Sequence, residues 1–250
     1  MDQILALARL ANQTALNPPS HSPIELREIT CVRNEDAPLR ELTVSFAAAC
    51  FHAVLGEQGS GKHVLLRLLG LLESPDAGDV ILSGVPIRSL NAESQADLRA
   101  RRFGFVFAAP FLLSSFSVIE NVAMPLFKIS QVSPEEARRR TEEVLDFVGL
   151  GDVAEASVDD LPTNAQYRTA LARGLVHEPP ILLVEELDNT LASDELCRFT
   201  DLLRRASAEF GTTVIATGSP ALPCKPSDRV LEIAAGLIQR DSELLPEPGA

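Results

Sequence analysis

Residues 56–63 read Gly56-Glu57-Gln58-Gly59-Ser60-Gly61-Lys62-His63. Two glycines at this spacing, then lysine and a hydroxyl residue, form a phosphate-binding loop; here His63 stands where the hydroxyl belongs. The chemistry of such a loop is anion binding. Its glycines let the backbone curl until the N–H groups face phosphate oxygens. The following helix N-terminus adds partial positive charge, and Lys62 reaches the terminal phosphates. The context agrees, because Phe51 to Leu55 reads as a buried strand leading in and His63 to Leu69 as the helix leading out. The chain has only three lysines, Lys62, Lys128 and Lys225. A chance match in a glycine-rich turn is expected in about one chain in a hundred.

The elements that must position this loop follow from the rest of the chain. Ile24 to Val32 and Arg40 to Phe46 are strand-like, joined by the polar turn Asn34 to Pro38. With Phe51 to Leu55 they read as an antiparallel entrance. Asp79 to Leu82 and Phe103 to Phe107 are further strands, with Ser89 to Arg101 helical between them. From Ser117 to Leu150 the pattern is all-helical: Val118 to Met124 is expected to stop at Pro125, and Ser133-Pro134 opens a longer helix. Leu161 to His177 is helical, Ile181 to Val184 a wholly apolar strand, and Ser193 to Phe210 helical. Gly211 to Thr217 is another buried strand, and Arg229 to Gln239 a closing hairpin. Strands alternating with helices predict an α/β fold with a mainly parallel core sheet. Phe51–Leu55 and Ile181–Val184 are expected as neighbours in it. The organisation expected is an arm at 1–23, one domain at 24–241 with a helical insert at about 112–161, and a disordered tail at 242–250.

Composition narrows the function. At 250 residues, 46% hydrophobic and 23% charged, the chain has ordinary globular composition. A net charge of −13 argues against nucleic acid, whose phosphates need a basic face. Docking of an acidic body on basic loops of a membrane protein stays open. No apolar run approaches the ~20 residues of a spanning helix. The start, Met1 to Arg9, lacks a basic leader and is read as no secretion signal. Cys31, Cys50, Cys197 and Cys224 have no Cys-x-x-Cys spacing, and Cys31 and Cys50 are expected as reduced core cysteines. His52 and His177 read as core or surface histidines, and Arg138 to Arg140 as a solvated helix face.

This order of elements resembles the ATP-binding subunit of an ABC transporter, from Ile24 to Asp241. The string Glu120-Asn121-Val122-Ala123-Met124-Pro125-Leu126 is similar to the lipoprotein-release and macrolide-export branch, which includes the cell-division ATPase. Ala170 to Pro179 resembles the family's arginine-bearing helix. The resemblance implies an ABC-type P-loop domain that binds ATP through Gly56 to His63. It also implies docking on a membrane permease at the inner face of the cytoplasmic membrane, and pairing as a homodimer or a mixed dimer. In the family's order Glu185 takes the place of the metal-orienting aspartate, one methylene longer. Glu186 takes the place of the general base, where a carboxylate polarises the attacking water.

The departures from the family pattern are as informative. His63 replaces the hydroxyl that holds Mg²⁺, a hard cation that prefers oxygen, so Mg²⁺ is expected to be held poorly. Ala108 replaces a glutamine. Leu161-Pro162-Thr163-Asn164-Ala165 replaces the glycine-rich signature, and Pro162 removes a donor there. Gly218 replaces the switch histidine. The segment Asn189-Thr190-Leu191-Ala192 lacks the expected aspartate, and no adenine-stacking aromatic lies between Ile24 and Arg40. Losing one transition-state donor commonly costs on the order of 10²–10³ in rate. The reading is therefore a degenerate ATP-binding subunit with Glu186 a vestigial general base. The alternative is an active ATPase powering export or lipoprotein release. A kinase of the same loop type would not explain the helix before Glu185.

Overall fold

The computed structural model describes residues 23–32, 38–129 and 132–244. Residues 1–22 of the expected arm, the turn at Asn34 to Ala37 and residues 245–250 of the expected tail lie outside these residues. Ser242–Leu244, placed in the disordered tail by the sequence, form a short 3-10 turn, with Ser242 Oγ accepting from Val230 N–H at 2.9 Å. The chain runs through β1 (Ile24–Cys31), β2 (Leu39–Phe46), β3 (Phe51–Leu55) and α1 (Lys62–Leu69). Then come β4 (Ala77–Leu82), β5 (Val85–Pro86), α2 (Ala92–Arg102) and β6 (Phe103–Val106). Three helices follow, α3 (Val118–Ile129), α4 (Pro134–Val148) and α5 (Thr163–Leu175). The chain returns through β7 (Ile181–Val184), α6 (Ser193–Phe210), β8 (Thr213–Gly218), β9 (Arg229–Ala234) and β10 (Leu237–Asp241). No helix of the described residues is long and apolar enough to cross a membrane.

Two sheets organise these elements. One is antiparallel, in the order β2-β1-β4-β5; the other runs β10-β9-β3-β8-β7-β6 and is parallel except for the β9–β10 hairpin. Two expectations are corrected here. β3 belongs to the parallel sheet and not to the antiparallel group, since its partners are β8 and β9. β3 and β7 are not neighbours either, because β8 pairs with both. A wholly apolar strand announces that both its faces are covered, but not which strands flank it.

Every residue of β3 is buried, and the two faces go to different cores. Phe51, Ala53 and Leu55 join Leu182, Val184, Val214 and Ala216 against α3 to α6. Val54 joins Ile181, Leu183 and Ile215 against α1 and the antiparallel sheet. Each large aliphatic side chain buried this way is worth roughly 1.5–3 kcal/mol. The central strands can move little without opening one core or the other.

The first of the three consecutive helices does not stop at Pro125 as expected, but continues to Ile129. A mid-helix proline costs about 3 kcal/mol. Val118, Val122 and Leu126, fully buried at one-turn spacing, offset that cost and carry the helix through. Its start is a reciprocal cap: Ser117 N–H donates to Glu120 Oε2 at 2.8 Å and Glu120 N–H to Ser117 Oγ at 3.4 Å. Asn121, 0% exposed, accepts from Leu113 N–H at 2.8 Å and donates to the carbonyls of Leu113, Phe116 and Ser117. Cys31 is buried as expected, but Cys50, just before β3, is exposed, although its carbonyl accepts from Val214 N–H at 2.9 Å.

Asn121→Ala leaves Leu113 N–H and three carbonyls without this partner. Its unfolding free energy in a urea melt is expected to fall by about 2–3 kcal/mol, with little change in slope.

Candidate functional site

The loop between β3 and α1 is anchored at both ends. Gly56 N–H donates to Gly218 O at 3.1 Å, which ties its start to the end of β8. Gly236 N–H donates to Ser60 O at 2.9 Å. A Cβ on Gly56 would lie 2.4 Å from Ser60 Oγ and 2.5 Å from Ile233 O, so only glycine fits. Gly61, at φ +99°, caps α1 in the left-handed region that glycine enters without strain. These constraints curl the backbone so that α1 begins at Lys62 with its free N–H groups facing the loop, a geometry suited to phosphate oxygens.

Lys62 is 5% exposed. Its ammonium donates to Glu57 O at 3.2 Å and pairs with Glu186 Oε1 at 2.9 Å. Beside it, His63 Nδ1 lies 2.7 Å from Glu185 Oε1. Two consecutive residues of the loop thus meet two consecutive carboxylates. The turn after β7 makes this possible. Glu185 N–H continues the ladder to Val106 O at 2.8 Å, and Glu186 then takes φ 36° and ψ 54°, an uncommon conformation for a residue with a side chain. Glu186 N–H donates to Thr217 O at 3.1 Å. The reversal sends the Glu185 side chain to His63 and the Glu186 side chain to Lys62.

The electrostatics follow. The hydrogen bond to Glu185 raises the His63 pKa above its ordinary value, and the same bond lowers that of Glu185. Both shifts favour the charged pair. The second Glu185 oxygen accepts from Ala108 N–H at 3.3 Å, so both oxygens are engaged. The carbonyl of Ala108 in turn accepts from the buried Tyr167 hydroxyl. Asn189 Nδ2 donates to Glu186 Oε2 at 3.3 Å.

Other positions singled out in the sequence fall around this centre. Gly218 supplies backbone only, and a Cβ there would lie 3.0 Å from Leu222 Cβ. Pro162 caps α5 without a side-chain hydrogen bond, with Thr163 exposed beside it. Among the described residues, none of Leu161 to Ala165 makes a hydrogen bond or ion pair with Lys62, His63, Glu185 or Glu186. The sequence reading missed Asp188. Its Oδ2 accepts from Ser219 N–H at 2.6 Å, fastening the segment after β7 to the segment after β8, and its buried Oδ1 has no partner. Its only signal in the sequence is an aspartate two places beyond Glu186. A cavity of about 510 Å³ adjoins the loop, lined by Leu55, Glu57, Pro220, Ile233, Ala235 and others, with no aromatic ring.

The glycine cradle, the α1 N-terminus and Lys62 fit a polyphosphate. The metal position fits Mg²⁺ poorly: it offers an imidazole in place of a hydroxyl, and that imidazole is bonded to the carboxylate that would face the metal. No cluster of three or more histidine, cysteine or acidic side chains able to hold a metal exists among the described residues.

The family model described as "ABC transporter" matches residues 39–189. The lipoprotein-releasing system ATP-binding proteins LolD of Bordetella pertussis and Bordetella parapertussis are each 37% identical over 204 residues, covering 81% of this chain and 87% of theirs. The dimeric structure of MJ0796, a bacterial ABC transporter cassette, is 26% identical with a TM-score of 0.76, covering 87% of this chain and 97% of that one. The same cassette is known in a post-hydrolysis state bound to ADP and Pi. CbiO1 of Clostridium perfringens, part of the cbiONQ complex, shares the fold at 22% identity and a TM-score of 0.78, covering 89% of this chain and 88% of that one.

An incoming phosphate must take Lys62 from Glu186. Glu186→Gln is expected to tighten nucleotide binding threefold to tenfold, on the order of 1 kcal/mol. Lys62→Ala is expected to weaken it by about 1.5–3 kcal/mol, the worth of a hydrogen bond to a charged group. Equilibrium titration with a fluorescent ATP analogue measures both.

Proposed function

The chain belongs to the ABC transporter ATP-binding family, and from that premise we propose that it is a degenerate member. In this reading it holds nucleotide, docks on a membrane permease, and hydrolyses ATP weakly or not at all. The observation that carries the reading is the 2.7 Å contact between His63 and Glu185. The two side chains that should serve a metal bind each other. Ala108, Gly218 and the Pro162-Thr163-Asn164 stretch add three further positions at which a group expected to help the reaction is replaced. Gly56 to His63 bind the phosphates, Glu185 keeps a metal-side position without a metal's function, and Glu186 is the vestige of a general base.

The domain is 24–241 with its helical insert at about 112–161, and it works at the cytoplasmic face of the membrane. The LolD relatives support a lipoprotein-release or export complex. Exposed aromatics on and before α3, Phe111 at 67% and Phe127 at 74%, support a docking face for the permease on the insert. The dimeric MJ0796 cassette supports pairing with a second subunit. A homodimer would present Leu161 to Ala165 in both sites, whereas a mixed dimer would bring one intact signature to this loop. Nucleotide then serves assembly more than power.

ATPase assay of the purified chain, alone and with its permease, is the test. Turnover is expected at background, and His63→Ser alone is expected not to restore it. Appreciable turnover that Glu186→Gln abolishes would make the chain an active ATPase. In cells, Lys62→Ala is expected to leave transport intact if the role is scaffolding. Loss of transport in an assembled complex would favour energy coupling.

A further inference from the structure

The charge pattern around the loop says how nucleotide is held. Lys62, His63 and Arg67 place three basic residues within the first six of α1, and Glu185 and Glu186 face two of them across the end of the sheet. A cation entering between His63 and Glu185 would have to break a 2.7 Å contact, and then rely on a carboxylate whose other oxygen is held by Ala108 N–H at 3.3 Å. It would find a nitrogen ligand where a hard divalent ion seeks oxygen. A phosphate meets no such obstacle. It competes only with Glu186 for Lys62, and the loop amides stay available to it.

We propose that this site binds nucleoside triphosphate through phosphate contacts alone, with no protein-held divalent cation, because the His63–Glu185 pair closes the metal position. The proposal rests on the loop being a nucleotide site, as argued above, and goes beyond it by naming the form of ligand taken. His63 is here a specificity-determining residue: it sets which ionic form of nucleotide is favoured. Substrate and metal become uncoupled, so Mg²⁺ in solution changes the charge of the ligand without adding a contact. Ligand charge reduced by Mg²⁺ then leaves affinity unchanged or lower.

Isothermal titration of the full chain with ATP, in EDTA and in excess Mg²⁺, tests this directly. The two dissociation constants are expected to agree within about twofold, or the Mg²⁺ value to be weaker. His63→Ser, which frees Glu185 and restores a hydroxyl, is expected to gain tenfold or more from Mg²⁺. Mn²⁺ gives an independent readout: with ATP and wild-type chain, electron paramagnetic resonance should show only the Mn²⁺–ATP signal, whereas His63→Ser should show a protein-bound species. A tenfold gain from Mg²⁺ in the wild type overturns the proposal and leaves the nucleotide site standing. A His63→Ser chain that gains nothing overturns it as well, since His63 would not be what closes the position. No binding in either buffer at millimolar ATP defeats the nucleotide reading itself, and the proposal with it.

Discussion

Two crossed ion pairs, Lys62 with Glu186 and His63 with Glu185, join the start of α1 to the end of β7 across an intervening strand. Adjacent strands lie ~4.8 Å apart, so β3 and β7, with β8 between them, are separated by roughly 10 Å. The loop after β3 must therefore lean over the end of β8 to bring α1 within reach. Gly56 N–H bonded to Gly218 O fixes that lean, and the left-handed turn at Glu186 aims the carboxylates back toward the loop. The rest of the fold serves this crossing. Two cores on opposite faces of the sheet hold β3, β7 and β8 in one plane.

In the reading proposed here, the same crossing separates the chemistry that is kept from the chemistry that is lost. Phosphate binding needs a curled backbone, a helix terminus and one cation, and all three are supplied by residues 56–63. Hydrolysis needs a positioned metal, a polarised water and donors for developing charge, and these depend on the residue after Lys62 and on side chains that face the loop from other elements. Those side chains are absent or turned inward on one another. Glu186 neutralises the lysine, Glu185 is consumed by His63, and the Ala108 position holds Glu185 through its backbone. These side chains can vary without loss of the fold, because the packing that holds the strands is made by the two apolar cores.

Local features were legible in the residues. Apolar runs marked the central strands, Gly56 to Lys62 marked the loop, and Ser133-Pro134 marked the start of a helix. What escaped was set by distance in the chain. The interposition of β8 between β3 and β7 is invisible, since three wholly apolar strands can be ordered in several ways with equal burial. Pro125 misled because a local penalty was judged without the buried seam of Val118, Val122 and Leu126 that outweighs it. The Tyr167 hydroxyl on the Ala108 carbonyl, and Asp188 on Ser219 N–H, join residues far apart in sequence and carry no local pattern. The pairing of His63 with Glu185 belongs to the same class: each residue was suspect alone, and only the fold shows that they satisfy each other.

The central claim is that His63 and Glu185 together exclude a metal from a site that still takes nucleotide. A crystal structure of the full chain grown with ATP and Mn²⁺, phased near the manganese edge, addresses it most directly. The account predicts ATP phosphates on Lys62 and the loop amides, His63 still in hydrogen-bond contact with Glu185, and no anomalous peak between them. An anomalous peak about 2.1 Å from Glu185, with His63 turned away, would contradict it.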